Sequence, residues 1–367
     1  MASSPPPAQA TAAGLLGSPS SPANKEEPTI IWSEDYLNQN TNRRNQMPYM
    51  KFALAWLFGV SFVSAVFISL LEKVPFVDAL LLSTGGATAA GLNSVDITLF
   101  GKGSLTVLMI CMQLGSQVGM SLIPVFVRIH ALHKVIPKDM RTFNLNNYKR
   151  VPEWLVEYKA LVFLTRVCLL MMLFVYAVYG LGLCLYMRGH AVLDESGADG
   201  SSVFWAAFHV VSAYNNVGYA LMKTNFVGFG NDKFVVFCIN MLILHGNVMY
   251  PIFLRWTIIW LSYFTPKKSS SKIYYRYLLL NGRHLYTHLF GSQQTWLLLL
   301  QQLTLISLQV AITIGLSGNH LSGNRHARIG FQDAFFEAVN VRHAGFNSIA
   351  NLADVSAGVL IVFIVFM

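Results

Sequence analysis

The chain has 367 residues, of which 54% are hydrophobic and 12% charged, about half the charged share of an ordinary soluble domain. Its formal charge is +9, yet the basic residues gather in two loops flanked by apolar stretches, which argues against a nucleic-acid surface and for the retained side of a membrane. Cys111, Cys168, Cys184 and Cys238 all fall inside apolar stretches, as packed thiols and not as a disulfide framework.

Residues 1–48 are rich in Pro, Ala and Ser. They lack the apolar core of a secretory signal peptide and read as a disordered cytoplasmic tail. A helical span needs about 20 mostly apolar residues, and residues 52–71, 105–127, 160–186, 234–263 and 296–316 meet that demand in turn. Lys134, Lys138, Arg141, Lys149 and Arg150 separate the second and third stretches, and Lys267, Lys268, Lys272, Arg276 and Arg283 separate the fourth and fifth. The loop carrying Asp194, Glu195 and Asp199 is acidic. Positive loops stay on the cytoplasmic side, so the amino terminus is expected there, with Arg43, Arg44 and Lys51 as the retained flank of the first span.

Internal repeats organise the rest. Ala90-Gly91-Leu92-Asn93-Ser94 returns as Ala344-Gly345-Phe346-Asn347-Ser348, and Phe76-Val77-Asp78-Ala79-Leu80 returns, one residue out of step, as Phe331-Gln332-Asp333-Ala334-Phe335. Between them lies Ser212-Ala213-Tyr214-Asn215-Asn216-Val217-Gly218-Tyr219, and the glycines stand at two equal intervals of 127 residues, 91 to 218 and 218 to 345. Pro124-Val125-Phe126-Val127-Arg128 and Pro251-Ile252-Phe253-Leu254-Arg255 keep the same register, each arginine 37 residues after its glycine. Such a period marks a repeated structural unit. Each unit reads as an apolar helix, a short segment ending in a polar stretch with glycine, and a second apolar helix closing at Pro-x-Phe-x-Arg.

The short segment cannot span, and irregular backbone at membrane depth is tolerated only inside protein or against a water-filled cavity. It is therefore expected to be a re-entrant pore helix and loop. The fold class is an all-α polytopic membrane protein, with helix, re-entrant pore-loop, helix units around a central pore, three of them visible and the third incomplete. The expected boundaries are 49–130 for the first unit, 131–157 for a cytoplasmic basic loop and 158–263 for the second unit. A second basic loop follows at 264–294, and the third unit at 295–367.

A dehydrated cation needs oxygen ligands in place of its water, and backbone carbonyls supply them without fixed charge. Glycine permits the backbone that turns successive carbonyls toward one axis. Thr88-Ala89-Ala90-Gly91, Asn215-Asn216-Val217-Gly218 and Arg342-His343-Ala344-Gly345 are the candidate ion-filter residues. Close helix packing is the alternative use of such glycines.

These three loops, together with Gly246-Asn247-Val248-Met249-Tyr250-Pro251 and Asn351-Leu352-Ala353-Asp354, resemble the Trk, Ktr and HKT potassium transporter superfamily, and within it the branch of plant HKT and fungal Trk proteins. The resemblance covers most of residues 50–367. It implies four units around one pore, with K⁺ or Na⁺ held by carbonyls of the filter residues, no cofactor, no enzymatic activity, a homodimer, and residence in the lipid bilayer of the plasma membrane. It also implies K⁺ preference from Gly91, since serine there accompanies Na⁺ preference in the family. Ala89 and Ala90 depart from the family's hydroxyl-rich first loop. A further Pro-x-Phe-x-Arg near residue 382 and a fourth filter glycine near residue 472, one interval beyond Arg255 and Gly345, are expected of the full pattern. An incomplete gene model or a truncated chain is the expected reason for their absence.

Other residues carry readings of their own. Asp78 and Asp333 are expected to cap the pore helices and match their positive ends. Arg166, inside the third span, either snorkels or marks a functional site, and Arg128 and Arg255 read as interface anchors. His343 beside a filter glycine either tunes permeation by pH or is structural. His130 and His133, with His284 and His288, have helical spacing that could present metal ligands. A membrane-bound di-iron enzyme using these histidines therefore stands as an alternative to transport, as do a Na⁺-preferring transporter and a non-conducting partner subunit.

Overall fold

The computed structural model describes residues 29–31, 49–136, 150–190, 200–229, 232–266, 269, 271–318, 329–349 and 355–367. Arg43, Arg44, Lys138, Arg141, Lys149, Asp194, Glu195, Asp199, Lys267 and Lys268, and the stretch Asn351-Leu352-Ala353-Asp354, lie outside the described residues.

The elements in chain order are β1 (Thr29–Ile31), α1 (Tyr49–Glu72), α2 (Phe76–Ala87), α3 (Lys102–Gly115), α4 (Gln117–Val135), β2 (Arg150–Pro152), α5 (Glu153–Tyr186), α6 (Ser202–Tyr214), α7 (Lys233–Gly246) and α8 (Tyr250–Phe264). They continue with α9 (Ser271–Leu280), α10 (Gly282–Leu285), α11 (Ser292–Gly318), α12 (Phe331–Asn340) and α13 (Ala357–Phe366). Among the described residues the fold is all-α apart from β1, which pairs in parallel with β2, Thr29 opposite Arg150.

Met50–Glu72, Glu153–Tyr186 and Ser292–Ser317 are each long and apolar enough to cross a membrane. The pairs α3–α4 and α7–α8, bent by 58° and 81°, pass the same test when each is taken together, which gives up to five spans among the described residues. Their surfaces follow: Phe58 and Leu70 on α1, Phe174 on α5 and Leu297 on α11 stay largely exposed, the arrangement lipid favours and water does not.

Two expectations need correcting. The second helices of the first two units are not continuous, because Ser116 interrupts one and Asn247 to Met249 interrupt the other. Nor does either helix close at its Pro-x-Phe-x-Arg segment. Pro124 lies inside α4, which runs on to Val135, and Pro251 sits in the first turn of α8, which runs on to Phe264. Proline is harmless in a first turn, where its missing N–H would have no partner.

The chain divides into two compact units. One comprises Met1–Tyr49, Ser121–Leu170 and Phe253–Ser292. In it Arg128 pairs with the buried Glu157 carboxylate, and its Nη1 donates to the His284 carbonyl at 2.7 Å. Arg255 Nη1 donates in the same way to the Phe290 carbonyl at 2.7 Å, and the Arg283 guanidinium lies 5.1 Å from the Phe290 ring centre. Both repeat arginines thus hold the segment from His284 to Phe290. Arg166 is exposed on α5.

The other unit comprises Met50–Met120, Met171–Ile252 and Gln293–Met367. Here α2 packs on α3, α6 on α3 and α7, and α12 on α7. Trp205, Phe208, Phe226, Phe229, Phe336 and Phe346 are fully buried in its core. Phe226 is the hub, with ring centres of His209, Phe229, Phe336 and Phe346 within 6.0 Å.

Candidate ion filter

Three short helices deliver the candidate loops: α2 has 12 residues, α6 has 13 and α12 has 10, all too short to span. Each ends in a turn that wraps five residues forward onto one carbonyl. Ala90 N donates to Gly85 O at 2.9 Å, Val217 N to Ser212 O at 3.0 Å, and Gly345 N to Asn340 O at 3.0 Å. Such a turn satisfies the last carbonyls of a helix, commonly with a left-handed residue at or beside its corner. Ala89 (φ 55°) and Asn216 (φ 57°) fill that corner in the first two loops.

All three candidate glycines then take left-handed backbone: Gly91 at φ 66°, Gly218 at 87° and Gly345 at 72°. A β-carbon on Gly91 would collide with the Val217 carbonyl oxygen, and one on Gly218 with the Ala344 carbonyl oxygen. Each glycine of the first two loops therefore abuts the carbonyl just before the glycine of the next. Gly345 has no such neighbour within 4 Å among the described residues.

The broken second helices back onto the same turns. A β-carbon on Gly115 would strike the Ala87 carbonyl, and one on Gly246 the Tyr214 carbonyl. Ala87 and Tyr214 each stand four residues before their filter glycine. The tight approach of helix break to helix end explains why both breaks begin at glycine.

The third residue past each glycine is tied back to its pore helix. Ser94 Oγ donates to Asp78 Oδ1 at 2.6 Å, Leu221 N donates to His209 Nε2 at 3.2 Å, and Ser348 N donates to Glu337 Oε1 at 2.8 Å. His209 Nδ1 in turn lies 2.8 Å from Trp205 O, so the ring is neutral with its proton on Nδ1. Ser348 Oγ also lies 3.2 Å from Asp333 Oδ1. The capping expectation for Asp78 and Asp333 is thereby corrected. The N-cap residues are Pro75 and Gly330, with no side-chain cap bond, and the aspartates one turn in take serine hydroxyls from the returning loop.

The second loop is the most enclosed: Asn215, Asn216 and Val217 are buried, whereas Thr88, Ala90 and Gly345 are exposed. Asn215 Nδ2 donates to Gln113 Oε1 at 3.1 Å, an oxygen shared with the Tyr176 hydroxyl. Thr88 Oγ1 turns back to Thr84 O at 2.7 Å. His343 Nδ1 lies 3.3 Å from Asn247 Nδ2, and burial, then the charge of Arg342, push His343 down to about 4. The neutral ring is thereby favoured near pH 7.

Sequence reasoning missed Tyr219, His209 and Glu337. The Tyr219 hydroxyl lies 2.8 Å from both Leu82 O and Leu92 O, so the second loop reaches the first pore helix and the first loop together. Its position just after Gly218 was the available signal. Among the described residues no group of three or more His, Cys, Asp or Glu side chains could hold a metal ion, and His133 Nδ1 lies 3.0 Å from the Tyr158 hydroxyl.

A family model described as a cation transport protein, TrkH, matches residues 37–367. Potassium transport protein 1 of Schizosaccharomyces pombe is 30% identical over 166 residues, 45% of this chain and 20% of its own length. Cation transporter HKT1;3 of Oryza sativa is 25% identical over 323 residues, 79% of this chain and 59% of its own. Potassium transporter TRK1 of Candida albicans is 26% identical over 219 residues, 58% and 20%. The chain thus spans less than two thirds of the length of these curated relatives.

Proposed function

Because the chain belongs to the TrkH family of cation transport proteins, we propose that it carries K⁺ across a membrane, with Na⁺ as a second permeant ion, through a filter lined by backbone carbonyls. The family is one of transporters and not of enzymes, which sets aside the di-iron alternative. The observation that carries the reading is the left-handed glycine repeated at Gly91, Gly218 and Gly345, with the carbonyl of the following loop filling the space of the missing side chain at the first two. Helix capping accounts for one such glycine, but not for three at one interval with a neighbouring loop's carbonyl against two of them, which supports a carbonyl-lined cation path.

The ligands in this reading are carbonyls of Thr88 to Gly91, Asn215 to Gly218 and Arg342 to Gly345. The ions are cargo, and no resident cofactor is involved. The amino terminus is cytoplasmic, as the placing of the basic residues supports. The membrane is the plasma membrane and the assembly a homodimer, both by family resemblance.

The test is growth at low external K⁺ of cells that lack their own K⁺ uptake. Expression of the protein should rescue growth, and Rb⁺ uptake should rise with it. Surface-localised protein with neither effect would reject the reading.

A further inference from the structure

Glu337 and Asp333 stand one helical turn apart on α12 and meet on one serine. Ser348 Oγ is 3.2 Å from Asp333 Oδ1 and 3.3 Å from Glu337 Oε1, the oxygen that also takes the Ser348 N–H. A serine hydroxyl has one hydrogen to donate. The Ser348 N–H serves Glu337, and the one hydroxyl hydrogen faces both the buried Glu337 and the half-buried Asp333, so two negative charges would stand side by side over a single shared hydroxyl donor. The arrangement is satisfied when the pair holds one proton, and Glu337, with 4% of its surface exposed, is the deeper of the two.

The geometry points to Glu337 as a proton-binding positioning residue of the third filter loop: protonated, it lets both carboxyl groups hold Ser348 and keeps Ala344 and Gly345 in register, and deprotonated, it repels Asp333 and releases the loop. The inference rests on the filter reading above. Ser348 is the third residue past Gly345, and Glu337 lies eight before it, so the tie spans the whole candidate loop. Burial raises Glu337 to about 7, with the Ser348 bonds opposing and the Asp333 charge adding to the rise.

The like charge of Asp333 raises Glu337. The titratable groups on the helices packed nearby are Lys233, Cys238 and His245 on α7 and His209 on α6. Within the loop, Arg342 acts on His343, which stays neutral.

The experiment is Rb⁺ uptake by the purified protein in liposomes, with equal pH on both faces, stepped from pH 5.5 to 8.5. Uptake should fall in a single-proton step centred near pH 7. Glu337→Gln should flatten the profile, and Asp333→Asn should move the step to lower pH, since the like charge that raises Glu337 is gone. A profile unchanged by Glu337→Gln would overturn the inference.

A second measurement holds even if the liposomes take up no Rb⁺, which would be a failure of the filter reading alone. Infrared difference spectra of the detergent-purified protein should show a carboxylic-acid C=O band that disappears between pH 6 and 8 and is absent from Glu337→Gln. Identical spectra for the two proteins would reject the protonation itself.

Discussion

The Tyr219 hydroxyl lies 2.8 Å from the Leu92 carbonyl oxygen, joining the residue after the second filter glycine to the residue after the first. The same hydroxyl meets Leu82 O at 2.8 Å, in the middle of the first pore helix. Removing it in Tyr219→Phe leaves a buried carbonyl without its donor, a loss of about 1–2 kcal/mol. The melting temperature of the purified protein should fall accordingly. Discrimination of K⁺ over Na⁺ should weaken too, because the first loop loses its lateral support. Equal discrimination in variant and parent would show that the contact is structural only.

Gly218 and Gly345 separate two causes of glycine's necessity. Both are left-handed, which disfavours alanine by about 1–2 kcal/mol, but only at Gly218 would the β-carbon also strike a backbone carbonyl, that of Ala344. Gly218→Ala should therefore abolish transport or folding, while Gly345→Ala should be recovered as folded protein with a smaller loss. The readouts are yield of monodisperse protein and Rb⁺ uptake. Equal damage at both sites would mean that backbone conformation alone decides.

Gly91→Ser tests ion choice. A serine must accommodate both φ 66° and the Val217 carbonyl, so the oxygen cage at this level changes. The expected result is lower K⁺ permeation relative to Na⁺, measured as the ratio of rescued growth at limiting K⁺ to Na⁺ uptake. An unchanged ratio would remove the first loop from the filter.

Stability should depend on pH through Glu337. Its carboxyl is raised from the ordinary 4.5 to about 7, so the folded protein binds this proton more tightly than the unfolded chain does. The stabilisation is full below pH 4.5 and is lost as pH rises through about 7. The melting temperature of the native protein minus that of Glu337→Gln should fall across that window. A constant difference from pH 4.5 to 8 would contradict the sign.

Much of the architecture was legible in the sequence. Five apolar stretches, three glycines at one interval and two Pro-x-Phe-x-Arg segments are local patterns, and the bilayer turns local hydrophobicity directly into spans. The helix breaks were less visible. From Gly91 to Gly115 is 24 residues, but from Gly218 to Gly246 is 28. The second unit therefore spends four more residues before its break and recovers them before Pro251, so the constant 37-residue spacing to the arginine hid the difference.

The candidate site was legible in its glycines and not in its supports. Glu337, His209 and Tyr219 act through partners 11, 12 and 127 residues away, separations that no helical or strand period signals. The aspartates were expected as caps because carboxylates favour helix starts. Ser94 and Ser348 returning to them could be known only once the loops were folded.

Arg128 and Arg255 occupy the same place in two repeats, yet both close on one short stretch, at His284 O and Phe290 O. Two equivalent posts thus share a single crossbar. Losing either post therefore loosens the stretch on which the other also rests, so damage in one repeat should be felt at the arginine of its counterpart.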